Sequence, residues 1–231
     1  MWFVTSQKQG ASALGLKRVL DFGSYQTAWT WLHKLRRAMV RPGRDRLGRY
    51  VEVDETYVGG EEKGVRGRET QKKAIVAIAV EVHIPKGLGR IRMRRIRGVS
   101  AASLTPFVCD AVEPGSTVHT DGWKGYNDIE KHRYIHQRTV LSGSGDPAHV
   151  LMPAVHRVSA LLKRWLLGTH QGGVSNRHLD YYLDEFAFRF NRRTSRSRGL
   201  LFYRLMQQAA AIPPTRYSDI VGREDDPYHN I

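Results

Sequence analysis

Val51-Glu52-Val53-Asp54 and Thr117-Val118-His119-Thr120-Asp121 are two short, apolar, β-rich runs that each end in a carboxylate, the second acid 67 positions after the first. Val and Thr in runs of this length favour strands. A strand closed by an acid, used twice in one basic chain, is what metal-assisted cutting of a phosphodiester requires. Carboxylates hold divalent cations, and the cations bridge the scissile phosphate. Surrounding positive charge attracts the nucleic acid.

The segments between and after these runs set the fold. Lys73 to Val82 (KAIVAIAVEV) is nearly continuous in apolar β-formers and fits a strand buried on both faces. Gly89 to Gly98 (GRIRMRRIRG) alternates Arg with Ile or Met, so it reads as a strand with one basic face whose five arginines could reach phosphate. Ser103 to Val112 is a short helix, Trp123 to Glu130 a helix or turn, and Tyr134 to Val140 a strand. The stretches GEEKGVRGRET and SGSGDPAH are loops. A helix from about Pro153 stops at Gly168. The order strand with Asp54, strand, strand, helix, strand with Asp121, strand, helix is that of the ribonuclease H-like α/β fold, a mixed sheet flanked by helices. In that fold the first and fourth strands are neighbours, so their ends can bring Asp54 and Asp121 together.

Residues 1–49 form a separate helical, helix-turn-helix-like segment. Leu16, Val19 and Leu20 fall on one side of a first helix. Ser24 is a good N-cap for a second, Tyr25 to Met39, with Ala28, Trp31, Leu32 and Leu35 at helical spacing. The segment holds ten Lys and Arg against Asp21 and Asp45, and its second helix ends Lys34-Leu35-Arg36-Arg37. The catalytic domain spans 50–205. A helix after Ser175 carries Leu179, Tyr182, Leu183, Phe186 and Phe190, and leads into the basic connector that begins Arg192-Arg193. Residues 206–231 are the end of a last helix and a weakly ordered tail with Glu224-Asp225-Asp226.

Composition narrows the classes. The net charge is +15, spread along the chain, and the isoelectric point is about 10.2. That charge calls for a polyanion, most simply DNA or RNA. No stretch approaches the ~20 apolar residues of a membrane helix. The N-terminus lacks the apolar core of a signal peptide, so the expected setting is the cytoplasm, at the prokaryotic nucleoid. Cys109 is the single cysteine, which leaves no disulfide framework or zinc ribbon in this chain.

A third ligand is expected from the helix at 153–167. That helix holds no Asp or Glu; it holds His156, 35 residues after Asp121, and Lys163 seven residues further on. Seven residues is about two turns, so the two share a face, while Val155, Val158, Leu162 and Trp165 can meet the core. Glu185 is a rival third carboxylate. Glu52 and Glu55 flank Asp54 and are taken as structural, on the face opposite it.

VEVDETYVGG (51–60), VHTDGWKGY (118–126), HRVSALLKRWLLGTHQG (156–172) and HLDYYLDEFAFRFNRR (178–193), with SYQTAWTWLHKLR (24–36), resemble an insertion-sequence transposase of the DDE superfamily, in its ISXO2-like branch. The resemblance implies a ribonuclease H-like core, two divalent ions (Mg2+ or Mn2+), DNA cleavage at element ends and strand transfer into target DNA. It implies that Asp54 and Asp121 are the first two acidic residues, with His156 at the third position and Lys163 beside it. Histidine suits manganese better than magnesium. DNA is expected to meet Lys34, Arg36, Arg37, Lys163, Arg164, Arg192 and Arg193, and pairing two DNA ends calls for a homo-oligomer. Relatives carry a zinc ribbon ahead of the region seen here, and this chain starts after that point. The alternative is a decayed copy that only binds DNA.

Overall fold

The computed structural model describes residues 1–41, 43–60, 73–83, 85, 87–139, 148–172 and 174–222. The expected loop GEEKGVRGRET beyond Gly60, most of SGSGDPAH and the acidic Glu224-Asp225-Asp226 lie outside them. Contacts divide the chain into two compact units, Asp45–Leu166 on one hand and Met1–Arg44 with Leu167–Ile231 on the other. This replaces the division at 49 and 205. The helices after residue 167 share a core with the N-terminal segment, because burial of their apolar faces, not adjacency in sequence, decides which elements belong together.

The first unit is built on a five-stranded sheet: β1 (Tyr50–Val58), β2 (Ala74–Val82), β3 (Leu88–Ile96), β4 (Thr117–Asp121) and β5 (Ile135–Thr139). The order across the sheet is β3-β2-β1-β4-β5. β1–β2 and β2–β3 are antiparallel, while β1–β4 and β4–β5 are parallel. This is the ribonuclease H-like mixed sheet, with the first and fourth strands side by side. Residues 51, 53, 77 and 79 send apolar side chains into one core with Leu104, Phe107, Val108 and Ala111 of helix α4 (Ala101–Ala111). The residues between them on β1 face the opposite way, as a period of two requires. There Glu52 and Thr56 are hydrogen-bonded to helix α6 (Pro153–His170).

The basic face expected on β3 is partly taken up by the protein itself, while Arg95 and Arg97 stay exposed. Arg90 pairs with Glu81 at 3.1 Å and Arg94 with Asp110 at 2.8 Å. Arg92 is 8% exposed and donates to the Asp45 carbonyl. Buried or half-buried guanidinium groups must find acceptors nearby, and these three have done so.

In the other unit, α2 (Ala13–Val19) and α3 (Tyr25–Ala38) begin at Ser12 and Ser24, whose hydroxyls accept from the Gly15 and Gln26 amides. A short helix not expected from the sequence, α1 (Trp2–Ser6), precedes them. Leu16, Ala28, Leu32, Leu35 and Met39 share a core with Phe188 of α7 (Leu179–Phe190) and Leu205 of α8 (Arg198–Ala210). Val19, Leu20 and Trp31, expected on the buried side, are about half exposed. The buried stripe of α3 runs 28, 32, 35, 39, and Trp31 sits at its margin. The tail expected to be weakly ordered contains a helical turn, α9 (Tyr217–Val221), anchored by buried Ile220.

Candidate active site

β1 and β4 run parallel with Glu52 opposite His119. Counting two residues on from that pair brings Asp54 level with Asp121, on the same face of the sheet. Each carboxylate accepts a local amide: Glu55 N–H donates to Asp54 Oδ1 at 2.8 Å, and Trp123 N–H to Asp121 Oδ1 at 3.0 Å. Each bond orients its carboxylate, Asp54 midway along β1, which runs on to Val58, and Asp121 at the last residue of β4.

His156 lies in the first turns of α6, with Nε2 3.8 Å from Asp54 Oδ2. The two side chains are 32% and 20% exposed, so the pair is open to solvent. Ligands sharing one metal ion at bonds of about 2.0–2.2 Å stand roughly 3–4 Å from each other, and this pair has that spacing. Among the described residues no group of three or more His, Cys, Asp and Glu is drawn close enough to hold a metal ion. The pair consists of one hard carboxylate and one imidazole, with Asp121 on the same sheet face.

Lys163 is exposed on the same helix. Loss of solvent around its ammonium, then repulsion from Lys73, lowers its pKa, against the attraction of Asp54. Lys73, ahead of β2, is a second cation at this place that the sequence reading did not single out.

Tyr126 sits behind the acids. It is fully buried, and its hydroxyl donates to Glu55 Oε2 at 3.0 Å. Burial, then the charges of Glu55, Asp54 and Asp121, push its pKa well above 10.0, so it remains a donor. Gly125 permits this packing: a Cβ there would stand 2.6 Å from the Val99 carbonyl and 2.8 Å from Trp123 Nε1. The DGWKGY block thus combines one acid with the packing that supports the strand end.

Glu52 is not on the face opposite Asp54. Two residues separate them, and a strand period of two returns Glu52 to Asp54's own face, where its carboxylate accepts from Val155 N–H at 2.9 Å. Burial pushes its pKa up, and the Val155 and Ala154 amides pull it back. The spacing alone could have found this. Glu55 does lie on the other face, against Tyr126.

Glu185 is not a third ligand. It belongs to the helical unit, where every residue of α7 except Arg189 is buried. Arg36 Nε donates to it at 2.8 Å and Arg189 at 2.7 Å. Arg36, expected on DNA, is 1% exposed and committed to this carboxylate, with its guanidinium 4.0 Å from the Tyr182 ring centre. The basic run at the end of α3 therefore presents Lys34 outward, with Arg37 half-buried. Arg164 and Arg193 are exposed. Arg192 is half-buried over Phe188 and hydrogen-bonded to Gln208 Oε1, and Arg193 lies over Phe190.

Fold and site together define a ribonuclease H-like domain with carboxylates on one face of two adjacent parallel strands. The ISXO2-like transposase domain matches residues 46–191, more than half of the sequence, and the chain belongs to that family. A protein of transposable element ISH50 in Halobacterium salinarum is 28% identical over an alignment of 181 residues that covers 72% of this chain and 60% of the relative. The match therefore spans less than two thirds of that relative's length. Among solved structures the chain is similar to the catalytic core domain of BIV integrase, at 15% identity and a TM-score of 0.40, over 65% of this chain and 86% of that one. It is also similar to a chain of the simian T-cell lymphotropic virus intasome with PP2A regulatory subunit B56 gamma, at 15% identity and a TM-score of 0.43, over 94% of this chain and 76% of that one. At these scores it is the strand order above that places the chain in the fold.

Proposed function

We propose that the protein is a DNA transposase that cuts phosphodiester bonds at the ends of its element and joins the freed 3′-hydroxyl to target DNA. The observation that carries this is the juxtaposition of Asp54 and His156 beside the β1–β4 pairing that sets Asp121 on the same face. Asp54, Asp121 and His156 hold the divalent ions, Mg2+ or Mn2+. Bound there, such ions polarise the phosphate and lower the pKa of an attacking water. The chain's own residues supply the rest. Asp54 and Asp121 are held by the Glu55 and Trp123 amides, and Lys163 contacts a phosphate near the cut as a point charge. Lys34, Arg37, Arg164 and Arg193 attract the duplex without reading its sequence. The protein works as a homo-oligomer, which holds two DNA ends at once, at the nucleoid.

A second reading, a DNA-binding protein without catalysis, is favoured by one observation: no three ligands converge among the described residues. Metal dependence separates the two. Chelator-treated protein is given supercoiled DNA with and without Mn2+, alongside Asp54→Asn and Asp121→Asn. Manganese-dependent nicking lost in both variants, with binding to a random duplex unchanged, is the expected result. Equal nicking by Asp54→Asn would sink the assignment, and binding without nicking in every protein would leave the second reading.

A further inference from the structure

Helix α6 begins with Pro153 and has no acidic residue in its first turn. Its early amides have no partners within the helix, and its N-terminal end carries a partial positive charge. The acid that such an end calls for comes from the sheet. Glu52, 4% exposed, accepts from Val155 N–H at 2.9 Å, one residue before His156. On the other side of Asp54, the Ser159 hydroxyl donates to Thr56 Oγ1 at 2.9 Å, and Thr56 is 7% exposed. Glu52, Asp54 and Thr56 lie on one face of β1. Val155, His156 and Ser159 meet them in the same order along the helix. The Asp54–His156 pair is thus bracketed by two hydrogen bonds, the first buried and the second partly so.

We propose that Glu52 and Thr56 are positioning residues that hold the first turns of α6 on β1 and so set the His156 imidazole against Asp54. The inference rests on the reading of Asp54 and His156 as a metal-binding pair. Neither Glu52 nor Thr56 touches the metal or the DNA. Each acts through the helix, Glu52 as a cap received from another element and Thr56 as a lock one turn further on. Groups that orient metal ligands typically change metal affinity by about 10–100-fold when removed.

The test compares wild type, Glu52→Ala, Glu52→Gln and Thr56→Val in the full chain, with Asp54→Ala as reference. Hydrogen exchange at the Val155 and His156 amides reads the clamp with no metal present, and calorimetric titration with Mn2+ reads its consequence. Glu52→Ala is expected to lose protection at these amides and to weaken Mn2+ binding about tenfold or more. Glu52→Gln keeps a carbonyl oxygen for the Val155 amide and is expected to restore both nearly to wild type. Thr56→Val, which keeps the shape and loses the acceptor, covers the case in which Glu52→Ala does not fold and is expected to weaken Mn2+ binding several-fold. Unchanged Val155 protection in Glu52→Ala, or a Gln variant as impaired as the Ala variant, would overturn the proposal. If wild type and Asp54→Ala bind Mn2+ alike, the metal reading fails by itself, and the amide protection still decides whether the clamp exists.

Discussion

The two units treat a carboxylate in opposite ways. Glu185, in the helical unit, is 1% exposed and carries Arg36 at 2.8 Å and Arg189 at 2.7 Å, with Arg189 also bonded to the Gln7 and Val4 carbonyls. Its surroundings close on it so tightly that a Cβ at Gly10 would stand 2.7 Å from Oε1. Asp54, in the sheet unit, is 20% exposed and faces a histidine at 3.8 Å, beyond hydrogen-bond reach. A buried acid saturated by two guanidinium groups has no capacity for a further ligand. An acid on a strand, oriented by its neighbour's amide and partly open to solvent, is within reach of a further ligand. The sequence presents both simply as acids among apolar neighbours, and only the partners distinguish them.

The largest effect expected from this contrast is at Arg36. Arg36→Ala leaves Glu185 buried with half of its cationic partners and should cost about 3–5 kcal/mol in urea denaturation. Replacing the pair together, Arg36→Met with Glu185→Leu, should cost clearly less than the single change, because no charge is stranded. A single-variant cost under about 1 kcal/mol would mean that Glu185 is not the closed site described.

Acid should distinguish the units next. Burial alone would raise the Glu185 pKa; the charges and hydrogen bonds of Arg36 and Arg189 outweigh it and hold it at about 2. Burial, then Arg36, lowers His33 to about 3, and burial, then Arg36, lowers His170 to about 4. All three folded-state values lie below the unfolded ones, so the unfolded chain takes up protons first. Stability is full above pH 6.5. It falls from there toward pH 3 as the unfolded histidines charge, and further between pH 4.5 and 2 as Glu185 protonates. Urea denaturation across this range should show that His33→Phe flattens the first part and Glu185→Gln the second. A stability that rises on acidification would contradict the assignment.

Smaller effects mark the open site and the surface. Asp54→Asn keeps the shape and an acceptor for the Glu55 amide, so its stability should stay within about 1 kcal/mol of wild type. A loss as large as that of Arg36→Ala would show Asp54 to be structural. Asp110→Asn breaks the pairing with Arg94, in which Asp110 is 56% exposed, and should change thermal stability by at most about 1 kcal/mol.

Much of the sheet was legible because strands announce themselves by composition and by where they stop. Thr117 to Asp121 is legible because Thr and Val run up to the acid that ends β4, whereas the strand that holds Asp54 is not closed by it and continues to Val58; the order of elements then tells which strands adjoin. Glu52 was legible in principle, since a period of two puts it beside Asp54, yet the groups it bonds to are amides of a helix a hundred residues later. What the arginines do was not legible. Arg36 and Arg37 are adjacent in sequence, and one is sealed inside while the other is half-buried, because burial depends on which helices pack against α3. GRIRMRRIRG read as a basic surface for the same reason: Glu81 and Asp110, which take up Arg90 and Arg94, come from a neighbouring strand and from α4. Tyr126 stood inside a quoted block and went unassigned, since nothing local says that a tyrosine will be buried against Glu55.

One consequence concerns how the chain is made. The sheet unit is a single uninterrupted stretch, whereas the helical unit joins the first forty-four residues to everything after residue 166. During synthesis, Ala28, Leu32 and Leu35 emerge long before Phe188 and Leu205, with which they share a core, and Arg36 emerges long before Glu185. Residues 1–44 therefore complete their core only after the whole sheet unit has emerged. That apolar, basic segment waits while the sheet folds, and cells short of chaperone should lose the protein through it first.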